Sequence, residues 1–282
     1  MSVNTITAYL YDVGLMTKFI STEKKQKSLS DISTDDLTDF INFIVGMELG
    51  PYTQARVISS IKSFFKYLIL EKVITINPSE ILESPRLGRK LPDILTVTEI
   101  VQIIESVDLS QKEGERNKAI LETLYGCGLR VSELINLKIS DLHLKDDIIL
   151  VTGKGNKQRL IPVGEPTKKQ INIYLNQVRP FSTISKHDND TLFLNRRGAK
   201  LTRQMIFYIV KNQVEVAGIR KNISPHSFRH SFATHLVQNG ADLRAVQELL
   251  GHVSIITTEI YTHLNTEDLR KAIIKYHPRN MD

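Results

Sequence analysis

Cysteine is nearly absent from the chain: Cys127 stands alone among 282 residues. One thiol excludes an intrachain disulfide and leaves no cysteine cluster for a structural zinc, which fits a reducing compartment and makes the cytoplasm the expected location. Long apolar runs are missing too. No stretch approaches the roughly 20 residues that a membrane-spanning helix requires, so no membrane partner is expected. The first twenty residues are interrupted by Asn4, Asp12 and Lys18 and show neither a basic leading segment nor a small-residue cleavage site, so no signal peptide is read there. Internal repeats and low-complexity tracts are absent. The surplus of positive charge is small, 37 Lys and Arg against 31 Asp and Glu, and leans towards a polyanionic partner. With 41% hydrophobic and 24% charged residues, the composition is that of a folded globular protein and excludes a disordered or collagen-like chain.

The patterning divides the chain in two. Ile6, Tyr9, Leu10, Val13, Met16, Phe19 and Ile20 recur at spacings of three and four and predict one buried helical stripe. Ser33 with Asp36 three residues on is a relative of the capping box and opens a second helix with Leu37, Phe40, Ile41 and Ile44 on its apolar face. A third carries Val57, Ile58, Ile61, Phe64, Phe65, Leu68 and Ile69 and runs to about Val73. Residues 1–76 therefore read as a helical bundle. Residues 77–93 contain Pro78, Pro85, Gly88 and Pro92 with Arg86, Arg89 and Lys90, the composition of a linker. The second domain, 94–282, holds most of the surplus charge. Its helical stretches at 98–107 and 116–126 give way to two β-like runs, Ile148 to Thr152 and Arg159 to Val163. These flank Gly153-Lys154-Gly155-Asn156 and predict a hairpin with Lys154 at its tip. Helices resume at 167–178, 202–217, 226–239, 242–250 and 254–261, with Gly218, Gly240 and Gly251 as stops. The fold class expected is mainly α in two domains, the second α+β with a small sheet.

Four local signals carry chemistry: Gly128-Leu129-Arg130-Val131-Ser132-Glu133-Leu134, Lys154, His226-Ser227-Phe228-Arg229-His230, and Leu250-Gly251-His252 followed nine residues later by Tyr261. Singly each has a structural explanation. Arg130 could simply pair with Glu133, and a histidine at a helix end is often a cap. His226 and His230 lie four apart, but no glutamate of the metalloprotease pattern and no third ligand accompany them, so no metal and no cofactor is expected. His235 and His263 read as caps or phosphate contacts. Tyr9, Tyr11, Tyr52, Tyr67 and Tyr125 lie on or beside apolar stripes and most of them read as core, and Cys127 as a small buried hydrophobe.

Together and in this order the four signals resemble the tyrosine recombinase (phage integrase) family, whose signature is arginine, lysine, His-x-x-Arg, His or Trp, then tyrosine. Gly-Leu-Arg-Val-Ser-Glu-Leu and the closing His277-Pro278-Arg279 look most like its Xer branch. The resemblance implies a SAM-like core-binding domain, a catalytic domain, and a C-shaped clamp on double-stranded DNA at a specific site. It implies cofactor-free strand exchange through a 3′-phosphotyrosyl intermediate and a Holliday junction, resolving chromosome dimers. In that scheme Tyr261 is the nucleophile, Arg130 and Arg229 neutralise the phosphate, and His252 bonds a phosphate oxygen. His226 is the base, Lys154 protonates the departing 5′-oxygen, and Glu133 orients Arg130. The resemblance further implies a homo- or hetero-tetramer on synapsed DNA in which the last helix, 266–275, docks in trans through Leu269, Ile273 and Ile274, and a translocase as activator; docking of that helix in cis is the alternative, and the sequence does not separate the two. The same residues would serve the integrase of a mobile element, a relaxing topoisomerase, or, with the chemistry silent, a DNA-binding regulator.

Overall fold

The computed structural model describes residues 3–23, 27–85, 93–181, 184–251 and 266–280. The chain forms two compact units, Met1–Leu91 and Pro92–Asp282.

The first unit is built on α1 (Val3–Glu23), α2 (Thr34–Gly46) and α3 (Pro51–Leu70). The capping box at the start of α2 forms as expected: Ser33 Oγ accepts from the Asp36 N–H while the Asp36 carboxylate takes the Ser33 N–H at 2.9 Å. Leu37, Phe40, Ile44, Val57, Ile58, Ile61 and Phe65 are buried between the helices. The stripe expected along α1 is buried only in its second half: Met16 and Ile20 are inside, whereas Ile6 is 45% and Leu10 is 68% exposed. Helical phase explains this. The inward face is set by Asp12, fully buried and held by Arg56 at 2.5 Å and by Ser60 Oγ at 2.7 Å, and Leu10 points the opposite way at 100° per residue. Tyr11, Tyr52 and Tyr67 are exposed, contrary to the core reading, while Tyr125 in the second unit is wholly buried. The start of the segment expected as a linker from residue 77 is packed. Ser79 and Leu82 are buried in the first unit, and Thr34 Oγ1 donates to the Pro78 carbonyl, so proline here shapes a packed tail.

The second unit comprises α4 (Val97–Glu105), α5 (Gly114–Gly126) and α6 (Val131–Asn136), followed by strands β1 (Leu142–His143), β2 (Ile148–Thr152) and β3 (Gln158–Pro162). Then come α7 (Glu165–Ile173), which runs on into a π turn, α8 (Arg203–Val216), α9 (Pro225–Gln238), α10 (Leu243–Leu250) and α11 (Thr266–Tyr276). The strands form an antiparallel sheet in the order β1-β2-β3, with Val151 opposite Arg159. Gly155 (φ 74°) and Asn156 (φ 59°) turn the hairpin, as its sequence predicts. α5 is central, buried along almost its whole length, and packs against α7 and α9.

The last helix is where the expectation changes. Leu269, Ala272 and Ile273 are buried and Ile274 is 49% exposed, so Ala272 rather than Ile274 completes the apolar face. That face packs on α9, α10 and β3 of the same chain. The tail beyond it deepens the contact. His277 is buried beside Tyr125 and Phe232, and Arg279 binds the buried Glu122 carboxylate. No helix among the described residues is long and apolar enough to cross a membrane.

Candidate active site

α5 ends at a turn that only glycine fits well. Gly128 has φ +57°, and a Cβ there would lie 2.5 Å from the Phe232 ring. The turn delivers Arg130 as the N-cap of α6, with Glu133 at its third position reaching back to accept the Arg130 N–H at 2.8 Å. Glu133 also takes Arg130 Nη1 at 2.8 Å and both Nη atoms of Arg159 at 2.9 Å. Four hydrogen bonds fill the acceptor capacity of the carboxylate. Arg229, buried on α9, brings its Nη1 to 3.8 Å from the same carboxylate.

Among the described residues, three guanidinium groups thus surround one carboxylate, an excess of two positive charges. The rest of the frame is backbone dipole. Arg229 donates to the carbonyls of Gly128 (2.6 Å) and Leu250, Arg130 to that of Gly251 (3.3 Å), and Arg159 Nε to that of Leu249 (2.8 Å). The end of α10 therefore turns successive carbonyls onto three arginines, and Gly251, left-handed at φ +63°, closes the helix there. Burial and then the neighbouring Arg130 lower the Arg229 guanidinium to about 10, Glu133 pulling the other way, so it stays charged at neutral pH. Burial pushes the Glu133 carboxyl up, but the Arg159 hydrogen bonds, the Arg130 N–H and the charges around it prevail and hold it down at about 2.

Of the expected residues, Arg130, Glu133 and Arg229 are brought together. His226 lies exposed on the first turn of α9, three residues before Arg229 and so on a neighbouring face. The backbone puts Lys154 in the turn at the hairpin tip. His252, Tyr261 and His263, with the helix expected at 254–261, lie outside the described residues; His252 directly follows Gly251. His235 is neither a cap nor exposed to a phosphate. It is buried, with Nδ1 2.8 Å from the Tyr125 hydroxyl. Cys127 is buried as expected, and desolvation pushes its thiol up to about 12. Arg159 is the residue that sequence reasoning passed over. Its signal was faint: a cation two residues before buried Ile161 on one strand, hence on the core-facing side.

Residues 93–268 match the phage integrase family, and residues 1–72 match its N-terminal SAM-like domain. The tyrosine recombinase XerD of Oceanobacillus iheyensis is 42% identical over 279 residues, 99% of this chain and 94% of the relative; that of Staphylococcus aureus is 39% identical over the same shares. Among solved structures, the XerH site-specific recombinase bound to its difH substrate before cleavage superposes with a TM-score of 0.71 at 29% identity, covering 95% of this chain and 78% of that one. XerA recombinase gives 0.54 at 33% identity, covering 99% and 94%. With both of its units matched and relatives of this identity along nearly its whole length, the chain belongs to the phage integrase family and is a Xer-like tyrosine recombinase, an enzyme of site-specific DNA recombination.

Proposed function

We propose that the protein cuts and rejoins duplex DNA at a specific site through a phosphotyrosyl bond on Tyr261, and that its task is to resolve chromosome dimers. The observation that carries this reading is the guanidinium frame on Glu133. A phosphodiester brings one negative charge and gains a second on its non-bridging oxygens as the phenol oxygen attacks in line. The frame's two surplus positive charges match that state, and they are in place before the reaction begins. Arg130 and Arg229 each keep N–H groups beyond those bound to Glu133 and the carbonyls, and their planar forks can each grip two phosphate oxygens.

The Tyr261 oxygen forms the new P–O bond while the 5′-oxygen leaves. His226 takes the phenol proton and Lys154 supplies one to the leaving oxygen, which is too basic to depart unaided. The phosphotyrosyl bond keeps the energy of the broken one, so a second 5′-hydroxyl can reverse the step on another strand. His252 bonds a non-bridging oxygen. The relatives' XerD name supports the chromosomal role; four protomers on two synapsed sites and a translocase that triggers them complete the proposal.

The test is incubation with a suicide substrate nicked near a candidate site. Wild-type protein should trap as a covalent DNA adduct, and Tyr261→Phe should yield none while binding DNA with nearly the same affinity, because one hydroxyl adds little to many phosphate contacts. Adducts from Tyr261→Phe would refute the assignment of the nucleophile.

A further inference from the structure

Arg159 lies outside the six-residue signature, yet its side chain makes three hydrogen bonds within the site's frame, against two from the side chain of Arg130 or of Arg229. Both of its Nη atoms grip Glu133 at 2.9 Å, one oxygen each, and its Nε donates to the Leu249 carbonyl at 2.8 Å. Its side chain is only 13% exposed. Three of its five N–H groups are thus engaged inside the protein, so its office is not to grip DNA. What it joins is informative. Arg159 stands on β3, the strand that leads out of the Lys154 hairpin; Glu133 holds Arg130; Leu249 lies in the last turn of α10, two residues before Gly251. Gly251 packs directly on the guanidinium, where a Cβ would come within 3.2 Å of Nη1, and the chain leaves Gly251 for His252 and Tyr261.

A buried ion pair of this kind is weak evidence of stability, because an apolar side chain opposite Val151 would serve the strand as well. Geometry is what the fork supplies. Without it Glu133 keeps Arg130 and, at 3.8 Å, Arg229, but it loses the two bonds that fix both of its oxygens from the β3 side, so its carboxylate can turn and carry Arg130 with it, and the end of α10 loses its tie to the hairpin. We propose that Arg159 is a positioning residue of the recombination reaction, one that fixes Arg130 through Glu133 and sets the hairpin against the end of α10. This rests on the recombinase reading above.

The test compares Arg159→Lys, Arg159→Ala, Arg130→Ala and the double variant Arg130→Ala/Arg159→Lys in the full chain. Single-turnover adduct formation is followed on the nicked substrate, with DNA affinity measured by gel shift and folding by thermal melting. Lysine keeps the charge and the stem but cannot make the fork. Arg159→Lys should form adducts about 100-fold more slowly, the cost of displacing a reacting frame by about an ångström, with DNA affinity unchanged within about twofold. Acting through Arg130, it should add little to that variant's defect, so the double variant should match Arg130→Ala within about twofold. Full-rate cleavage by Arg159→Lys, additive defects in the double variant, or losses of rate that only track lost folding or lost DNA affinity in both Arg159 variants would each overturn the inference. A wild-type chain that forms no adduct would instead overturn the recombinase reading, and the inference with it.

Discussion

Replacing Glu133 by Gln removes the one negative charge among three guanidinium groups, and its effect on stability follows from the site's geometry. The carboxyl is 2% exposed and its pKa falls from 4.5 to about 2 on folding. Linkage makes that difference worth about 3 kcal/mol at neutral pH, since each tenfold change in acidity is about 1.4 kcal/mol. The sign is that of a depressed carboxylate: the contribution is complete above the unfolded value and fades as pH falls from 4.5 towards 2. By pH 3.5 about 1.4 kcal/mol of it is gone. Glutamine mimics the protonated side chain at every pH. The wild type should therefore exceed Glu133→Gln by about 3 kcal/mol at pH 7 and by about 2 kcal/mol at pH 3.5, as measured by urea unfolding of the full chain. A gap that is below about 1 kcal/mol at pH 7, or that stays constant down to pH 3.5, would refute the claim that Arg159 and Arg130 hold this carboxylate ionised.

Two further perturbations probe the same unit. Gly128→Ala places a side chain at φ +57° with its Cβ against Phe232 and displaces the carbonyl that holds Arg229. It should cost about 3 kcal/mol in urea unfolding and slow adduct formation, and a loss under about 1 kcal/mol would show that the turn relaxes freely. His277 is buried beside Tyr125, Phe232 and His235 with Arg279 two residues on, and desolvation lowers its imidazole to about 3. The unfolded chain therefore binds a proton that the folded one refuses, and about 2 kcal/mol should be lost between pH 7 and pH 5. His277→Gln should flatten that part of the stability profile; an unchanged slope would place the acid sensitivity elsewhere.

Much of this site was legible because its parts are local. Gly128, Arg130 and Glu133 fall within six residues, and a helix N-terminus makes the Arg130–Glu133 pair from that spacing alone. The hairpin turn and the Ser33–Asp36 cap are equally short-range. Arg159 was not legible for the converse reason: its partners Glu133 and Leu249 are 26 and 90 residues away, and only the register of β3 against β2 turns it inward. The same limit explains α1, where the apolar residues mark two faces and the buried Asp12 decides which one is inside. It explains the segment after residue 77 as well, since Pro78 and Pro85 break a helix whether or not the chain around them is packed. Apolar spacing could not choose between Ala272 and Ile274 for α11, because small side chains at a helix contact are selected by the partner surface.

The frame's economy lies in what neutralises it. A guanidinium buried as deeply as that of Arg229 is costly unless it is paired, and a carboxylate of its own would satisfy it fully. Here one carboxylate is shared among three, and the remaining bonds go to backbone carbonyls at the ends of α5 and α10. Carbonyl dipoles order the cations without cancelling their charge. A one-to-one pairing would have fixed the arginines equally well but would have left no net field for an anion. A frame with no carboxylate would have left three like charges to repel one another. Sharing Glu133 lies between these limits, and it makes the field depend on a single ionised group. For that reason the loss of Glu133 should disturb the site at the positions of all three arginines at once, whereas the loss of any one arginine leaves the carboxylate paired.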